Sequence, residues 1–239
     1  MKIIAVSTSL RAGGNGDAAV HAAAEAARAQ GAEVEELFFR DLKNIQFCRG
    51  CGGCKQEWGK GCVIDDDVTP LVNKFYSADG YILCGPIYMT GFAAQFKLLF
   101  DRCAGLTRKM DRSAMPNRPA PGAPGTNQPG PGAPGMAAAK ASSAPAGPME
   151  TKTARVHNGT VNSQYEGTPK RFVLISTCNS LRDDKDIPRA ETMAFQFKDV
   201  GVKEWRMVCV PGCHPFDGGG KTEENQAICA QAGAWAAGA

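Results

Sequence analysis

Five short apolar runs, each leading towards a segment of helical spacing, set the narrowest limit on what this chain can fold into. The runs are Lys2–Val6, Glu33–Phe39, Asp79–Cys84, Arg171–Ser176 and Glu204–Val210. Between and after them lie segments whose apolar positions recur three and four residues apart: Ala18–Gln30, Val68–Tyr76, Phe92–Cys103, Pro188–Val200 and Glu223–Trp235. Strands that are continuously apolar need cover on both faces, and strands alternating with helices supply it as right-handed crossovers. The pattern therefore predicts an α/β fold, a doubly wound five-stranded parallel sheet in the order 2-1-3-4-5. In that order the loops after strands one, three and four meet at the switch point, where such sheets bind ligands.

Those three loops carry suitable chemistry. The first, Ser7-Thr8-Ser9-Leu10-Arg11-Ala12-Gly13-Gly14-Asn15-Gly16-Asp17, is rich in hydroxyls and glycines and opens onto a helix. Backbone N–H groups, Ser and Thr hydroxyls and the positive helix end would all face a phosphate monoester there. Gly14-Asn15-Gly16-Asp17-Ala18-Ala19 formally satisfies a dinucleotide fingerprint, with Glu35 and Glu36 following. That fingerprint requires its first glycine directly after the strand, and here about eight residues intervene, so the phosphate-monoester loop is the better reading. The second loop, Gly85-Pro86-Ile87-Tyr88-Met89-Thr90-Gly91, fixes a turn and leaves Tyr88 where an aromatic ring packs on a flat ligand. The third is Ser176-Thr177-Cys178-Asn179-Ser180.

After the second run comes Cys48-Arg49-Gly50-Cys51-Gly52-Gly53-Cys54, followed by Cys62. Three thiols in one tight wrap with a fourth close behind suit an iron-sulfur cluster, whose corners need four thiolates from closely folded chain. Gly50, Gly52 and Gly53 permit the positive φ angles and close backbone approach of such a wrap. Structural zinc usually pairs two separated C-x₂-C knuckles, which makes it the rival centre, and free or disulfide-forming thiols are the remaining reading. Asp65-Asp66-Asp67 precede a helix and read as its N-cap and first-turn charge, with a divalent-cation site as the sharper alternative. Cys84, Cys103, Cys209 and Cys229 fall in expected strands and helices and read as small buried hydrophobes. Cys178 sits where it could approach a ligand at the switch point, and Cys213-His214 reads as loop.

The ten cysteines accompany a net charge of only +3, with no basic block and no interleaving of Arg with aromatics. A nucleic-acid partner is not indicated. The first residues form too short an apolar run for a secretory signal, and nothing reaches the roughly 20 apolar residues of a membrane span, so the expectation is a cytoplasmic chain whose thiols serve metal or redox chemistry. Residues 112–167 break the pattern: Pro119–Gly125 and Pro129–Gly135 are near copies in Ala/Ser/Pro-rich sequence. Such composition cannot bury enough apolar surface to offset its ordering entropy, and the segment is expected to be a flexible insertion in a single domain spanning 1–239.

Together these residues resemble the flavodoxin-like NAD(P)H-dependent FMN reductases, and within them the iron-sulfur flavoproteins. Ser9-Leu10-Arg11-Ala12-Gly13-Gly14-Asn15-Gly16 is similar to that family's G-S-P-R-x-x-G-N-T loop, with Leu10 for the proline and Gly16 for the threonine. Gly85-Pro86-Ile87-Tyr88 and Phe96-Lys97-Leu98-Leu99-Phe100-Asp101-Arg102 resemble its S-P-V-Y loop and its helix ending L-K-x-x-x-D-R. The resemblance is close over residues 1–107 and loose over 170–235. It implies FMN, with phosphate contacts from Ser7, Ser9, Arg11, Asn15 and Gly16. It places the isoalloxazine between Pro86, Ile87, Tyr88 and Met89 on one side and Ser176, Thr177, Cys178 and Asn179 on the other. It further implies a 4Fe-4S cluster on Cys48, Cys51, Cys54 and Cys62, ferredoxin or NAD(P)H as electron donor, a small-molecule acceptor such as a quinone or oxygen species, and a homodimer or homotetramer. Lys, Glu and His offer no acid/base pair, as expected where a flavin carries the reaction. A cluster-free NAD(P)H:FMN or quinone reductase and a non-enzymatic cysteine-based redox sensor are the alternatives.

Overall fold

The computed structural model describes residues 1–89, 91–107, 153–163, 165–178, 183–213 and 219–239. The parallel strands are β1 (Lys2–Ser7), β2 (Glu33–Phe38), β3 (Gly80–Tyr88), β6 (Lys170–Thr177) and β7 (Val202–Val210). They lie in the order β2-β1-β3-β6-β7, the expected 2-1-3-4-5. Two short strands were not expected. β4 (Gly91–Phe92) folds back antiparallel on the end of β3, and β5 (Arg155–Thr160) pairs antiparallel with β7 from Arg155 opposite Cys209 to Thr160 opposite Glu204. The second corrects the expected sequence layout: residues 155–160, counted in the insertion on composition, complete the sheet's edge. The Pro/Gly-rich core of that insertion lies outside the described residues.

Strand periodicity divides the core in two. Ile4 and Val6 of β1, Tyr81 and Leu83 of β3, Phe172 and Leu174 of β6, and Trp205 and Met207 of β7 enter one apolar layer; the residues between them, Ile3, Ala5, Ile82, Cys84, Val173, Ile175 and Val208, enter the other. The first layer is covered by α2 (Val68–Ser77), α3 (Ala94–Arg102) and α4 (Asp183–Gln196), the second by α1 (Asn15–Ala29) and α5 (Glu223–Ala236). α1 presents Ala19, Ala23, Ala24 and Ala27 inward, so α5 can approach very closely. At Gly233 a Cβ would lie 1.9 Å from the Ala23 carbonyl oxygen, which explains a glycine in mid-helix despite its propensity cost.

Boundaries moved where tertiary contacts outweighed local signals. α1 begins at Asn15, three residues before its alanine run, and α4 begins at Asp183 rather than Pro188, leaving the proline inside the helix. The Asp65–Asp67 expectation also changes. Asp66, not the N-cap Asp67, accepts the Thr69 N–H at 3.0 Å, while the Asp67 carboxylate receives the Lys43 and Asn44 N–H groups at 2.7 and 2.9 Å. Both aspartates tie the cysteine-bearing loop to α2.

Candidate cofactor sites

At the carboxyl end of β1 the chain turns into α1 through a loop whose polar groups largely bond one another. Ser7, fully buried, donates its hydroxyl to Asp17 at 2.8 Å, and Ser9 Oγ exchanges 3.3 Å hydrogen bonds with the backbone of Arg11. Asp17 also accepts the Gly13 N–H at 2.8 Å and pairs with Arg40 at 2.7 Å. Ser7 is thus hydrogen-bonded within the loop, and Arg40 joins it from outside the sequence motif. Arg11 is exposed, and Asn15 and Gly16 occupy the first turn of α1, whose N–H groups have no intrahelical partner. Asn15 is 5% exposed and its Oδ1 position has no hydrogen-bond partner among the described residues. An amide flip exchanges O and N, so that buried position can present an N–H to an anion.

Across the switch point β3 runs on into the β3–β4 hairpin. Pro86 and Ile87 are half-buried, Tyr88 is 58% and Met89 97% exposed. Met89 has a φ of 47°, as the tip of a tight hairpin demands. Gly85 is required where β3 passes under the hairpin: a Cβ there would lie 2.5 Å from Phe96 and 2.9 Å from Thr8 Oγ1. At the end of β6, Ser176, Thr177 and Cys178 are buried, and Ser176 Oγ has no partner among the described residues; Asn179 lies outside them. Unpartnered buried polar atoms on two of the three converging loops are what a polar ligand at the switch point would satisfy.

The second site is built by the cysteine loop. Cys48, Cys51, Cys54 and Cys62 all line one cavity of about 180 Å³, together with Lys55, Ile64, Asp101, Arg102 and Ala104. Gly50 and Gly52 have φ of 64° and 70°, the wrap's positive angles. Gly53 serves close approach instead, since a Cβ would meet Val63 at 2.4 Å. Gly105, in the turn after α3, lets Cys54 approach: a Cβ would lie 3.0 Å from that of Cys54. Among the described residues, the only trio of His, Cys, Asp or Glu ligand atoms within 4.8 Å of one another is His21, Glu25 and Glu36, where Arg28 already bonds both carboxylates.

Arg102, the last residue of α3, holds this loop. Its guanidinium donates to both carboxylate oxygens of Asp66 at 2.7 and 2.8 Å, to the Gln46 carbonyl at 2.7 Å, to Thr69 Oγ1 at 2.6 Å and, through Nε, to Cys62 Sγ at 3.3 Å. Both side chains of the Arg102–Asp66 pair are fully buried. Burial raises the Cys62 thiol, but the Ile64 N–H and the Arg102 guanidinium more than offset it and leave the group below its ordinary range. Burial, then the neighbouring Cys62 charge, pushes Cys54 up. Tyr76 is pushed up to about 12, by burial first and then by the charges of Cys54 and Cys103. Sequence reasoning quoted Arg102 as the end of a motif and missed this role; the signal available was an arginine in the last turn of an otherwise apolar helix face.

The cysteine cavity rests on the last turn of α3, at Asp101 and Arg102. The β3–β4 hairpin precedes the first turn at Ala94, and the helix between spans about 12 Å at 1.5 Å per residue.

This fold is that of the flavodoxin-like proteins. Solved structures agree on the fold: an NAD(P)H:quinone oxidoreductase from Methanothermobacter marburgensis is 14% identical with a TM-score of 0.58, covering 98% of this chain and 96% of that one. An NADH:FMN oxidoreductase in its apo form is 11% identical with a TM-score of 0.52, covering 99% and 88%. Residues 1–164 match the family described as NADPH-dependent FMN reductase, and the chain belongs to that family of FMN-dependent oxidoreductases. Curated proteins similar to this chain are iron-sulfur flavoproteins. It is 39% identical over 109 residues to an iron-sulfur flavoprotein of Methanosarcina thermophila, covering 46% of this chain and 56% of that protein. It is 43% identical over 102 residues to one of Methanocaldococcus jannaschii, covering 43% and 51%. The chain spans about half the length of these curated relatives. Among the described residues no helix is long and apolar enough to cross a membrane.

Proposed function

We propose that this chain is an electron-transfer flavoprotein that holds FMN at the switch point and a 4Fe-4S cluster in the cysteine cavity, and that passes electrons from NAD(P)H or ferredoxin to a small acceptor. The observation that carries the reading is the convergence of Cys48, Cys51, Cys54 and Cys62 on one cavity. When bound, FMN takes up electrons in pairs and releases them singly, and an iron-sulfur cluster relays them one at a time.

The chain's own residues supply placement and electrostatics. Arg11, Asn15 and the first-turn N–H groups of α1 would hold the phosphate, with Arg40 offsetting the Asp17 carboxylate beside it. Pro86 to Met89 and Ser176 to Cys178 would flank the ring, and Ser176 Oγ would gain the partner it lacks. At the cavity, Arg102 and Lys55 would place cationic groups beside an anionic thiolate cluster, and the Arg102 N–H, bonded to Cys62 Sγ, would hold the outlying ligand in position. A homodimer or homotetramer would use exposed Phe47, Trp58 and Val63 near the cysteines and Tyr88 and Met89 on the hairpin as its surfaces.

Anaerobic purification with flavin, iron and sulfide analysis tests the reading. One FMN and about four irons per chain, with broad visible absorption that dithionite bleaches and that Cys62→Ala removes, is the expected result. Flavin without iron would replace it with the cluster-free reductase, and absence of both would leave the cysteine-based sensor.

A further inference from the structure

A second pair of thiols, separate from the cysteine cavity, lies where β6 and β7 leave the sheet. The Cys178 N–H donates to the Val210 carbonyl at 2.9 Å, and the Cys213 N–H donates to the Cys178 carbonyl at 3.0 Å. With standard bond lengths, that last contact keeps the two α-carbons within about 6.9 Å, close to the 4.4–6.8 Å a disulfide spans. The side chains converge as well. Cys178 Sγ lies 3.6 Å and Cys213 Sγ 3.3 Å from the same Val210 carbonyl oxygen, so the sulfurs are no more than about 7 Å apart, and rotation about the two χ1 angles changes that gap. Neither is disulfide-bonded in this structure; Cys178 is buried and Cys213 half-buried.

Cys213 lies in a loop as expected, and its neighbourhood gives it a direction of reaction. Solvent reaches Cys213, whereas Cys84 and Cys229 are 0% and 1% exposed and closed to an oxidant. We propose that Cys178 and Cys213 form a reversible intrachain disulfide, with a hydroperoxide as the oxidising substrate. The Cys213 thiolate attacks the peroxide, breaking its O–O bond; the thiol becomes a sulfenic acid and the leaving oxygen departs as water or an alcohol. The Cys178 sulfur then attacks the sulfenic sulfur, the S–S bond forms, and hydroxide leaves as water with the Cys178 proton. Two thiols and one peroxide give one disulfide, one water, and one water or alcohol. The bond ties the Ser176–Cys178 end of β6, one wall of the switch point, to the exit of β7. None of this depends on the flavin or the cluster.

The test uses the full chain as purified, reduced, freed of reductant, treated with a small excess of hydrogen peroxide, alkylated and digested without reduction. Tryptic cleavage after Arg171 and Arg182 and after Arg206 and Lys221 places Cys178 and Cys213 on separate peptides, and fragmentation distinguishes Cys213 from Cys209 on the second. The expected product is a Cys178–Cys213 linked peptide pair that dithiothreitol resolves, with loss of both thiols to alkylation. In Cys178→Ser the linked pair disappears and dimedone labels Cys213. The proposal is overturned if both thiols stay alkylatable after peroxide, if Cys213 links instead to Cys84, Cys229 or the Cys48–Cys62 loop, or if it proceeds to the sulfinic acid without a linked pair. The wild-type result decides the matter even if the serine variant fails to fold.

Discussion

Replacing Arg102 with methionine should reveal how the cysteine loop is held. The substitution roughly conserves stem volume but leaves the Asp66 carboxylate inside the protein with only two of its partners, the Gln46 N–H at 2.8 Å and the Thr69 N–H at 3.0 Å. It also removes donors from the Gln46 carbonyl, Thr69 Oγ1 and Cys62 Sγ. Breaking a buried pair from one side costs about 3–5 kcal/mol, because the remaining charge is uncompensated. For a chain of this size that corresponds to a Tm roughly 10–15 °C lower. Urea or thermal unfolding of the metal-free chain measures it, and iron retained after anaerobic gel filtration measures the effect on the site. Combining Arg102→Met with Asp66→Leu should restore a large part of the loss, since a buried ion pair replaced on both sides by apolar groups is often neutral. If Arg102→Met stays within about 1 kcal/mol of wild type, or if the double variant loses the sum of the singles, the clamp argument fails.

The same pair predicts an acid limb. Burial opposes ionisation of Asp66, but the Arg102 hydrogen bonds and the two backbone N–H groups outweigh it and hold the carboxyl well below the usual carboxylate range. A carboxyl depressed in the folded state stabilises fully above its unfolded pKa of about 3.9 and progressively less as pH falls towards the folded value. Wild-type stability should therefore fall on acidification below about pH 5, and Asp66→Asn should flatten that dependence while lowering stability at pH 7.

Other consequences are read by simpler measurements. Ser176→Ala removes a buried hydroxyl with no partner among the described residues, so the apo chain should melt at the same temperature or slightly higher while FMN binds several-fold more weakly by fluorescence titration; unchanged affinity would remove Ser176 from the flavin site. Gly16→Thr has room, because a Cβ there meets Ser9 at 3.4 Å and the Cys84 sulfur at 3.5 Å, and the added hydroxyl should tighten FMN by about tenfold if this turn holds the phosphate. Gly233→Ala should cost about 1–3 kcal/mol or more in urea unfolding, because the Cβ meets backbone atoms of Ala23 that cannot move without shifting α1.

What was legible in the sequence, and what was not, follows from the range of the interactions. Strand and helix identity shows locally, because a strand covered on both faces must be apolar throughout and a helix covered on one face must repeat at 3.6 residues. The five parallel strands and five helices were therefore readable, as were the glycines at 50 and 52, whose positive φ is a property of the single residue. β5 was not readable: Arg155-Val156-His157-Asn158-Gly159-Thr160 is largely exposed or half-buried and becomes a strand only because β7 offers it an unpaired edge. Roles set by partners distant in sequence were equally hidden. Nothing local shows that Asp17 takes the Ser7 hydroxyl, that Asp66, besides capping α2 at Thr69, meets Arg102 from 36 residues away, or that β6 delivers Cys178 beside the loop residue Cys213.

The placement of the cysteine cavity follows from the same rule. Sequence adjacency to β2 suggests a site at the carboxyl edge of the sheet, but the loop's strongest tethers are a buried arginine at the far end of α3 and glycine-permitted contacts at Gly105. A loop settles where its buried charges find partners, because an unpaired buried carboxylate costs more than any exposed turn can return. The Arg102–Asp66 pair therefore fixes both the stability of the loop and its distance of about 12 Å along α3 from the hairpin. That distance makes the oligomeric state a functional variable. If sedimentation shows a monomer whose flavin and iron still exchange electrons rapidly in stopped-flow reduction, the transfer runs within one chain and the exposed surfaces at Phe47 and Tyr88 have another use.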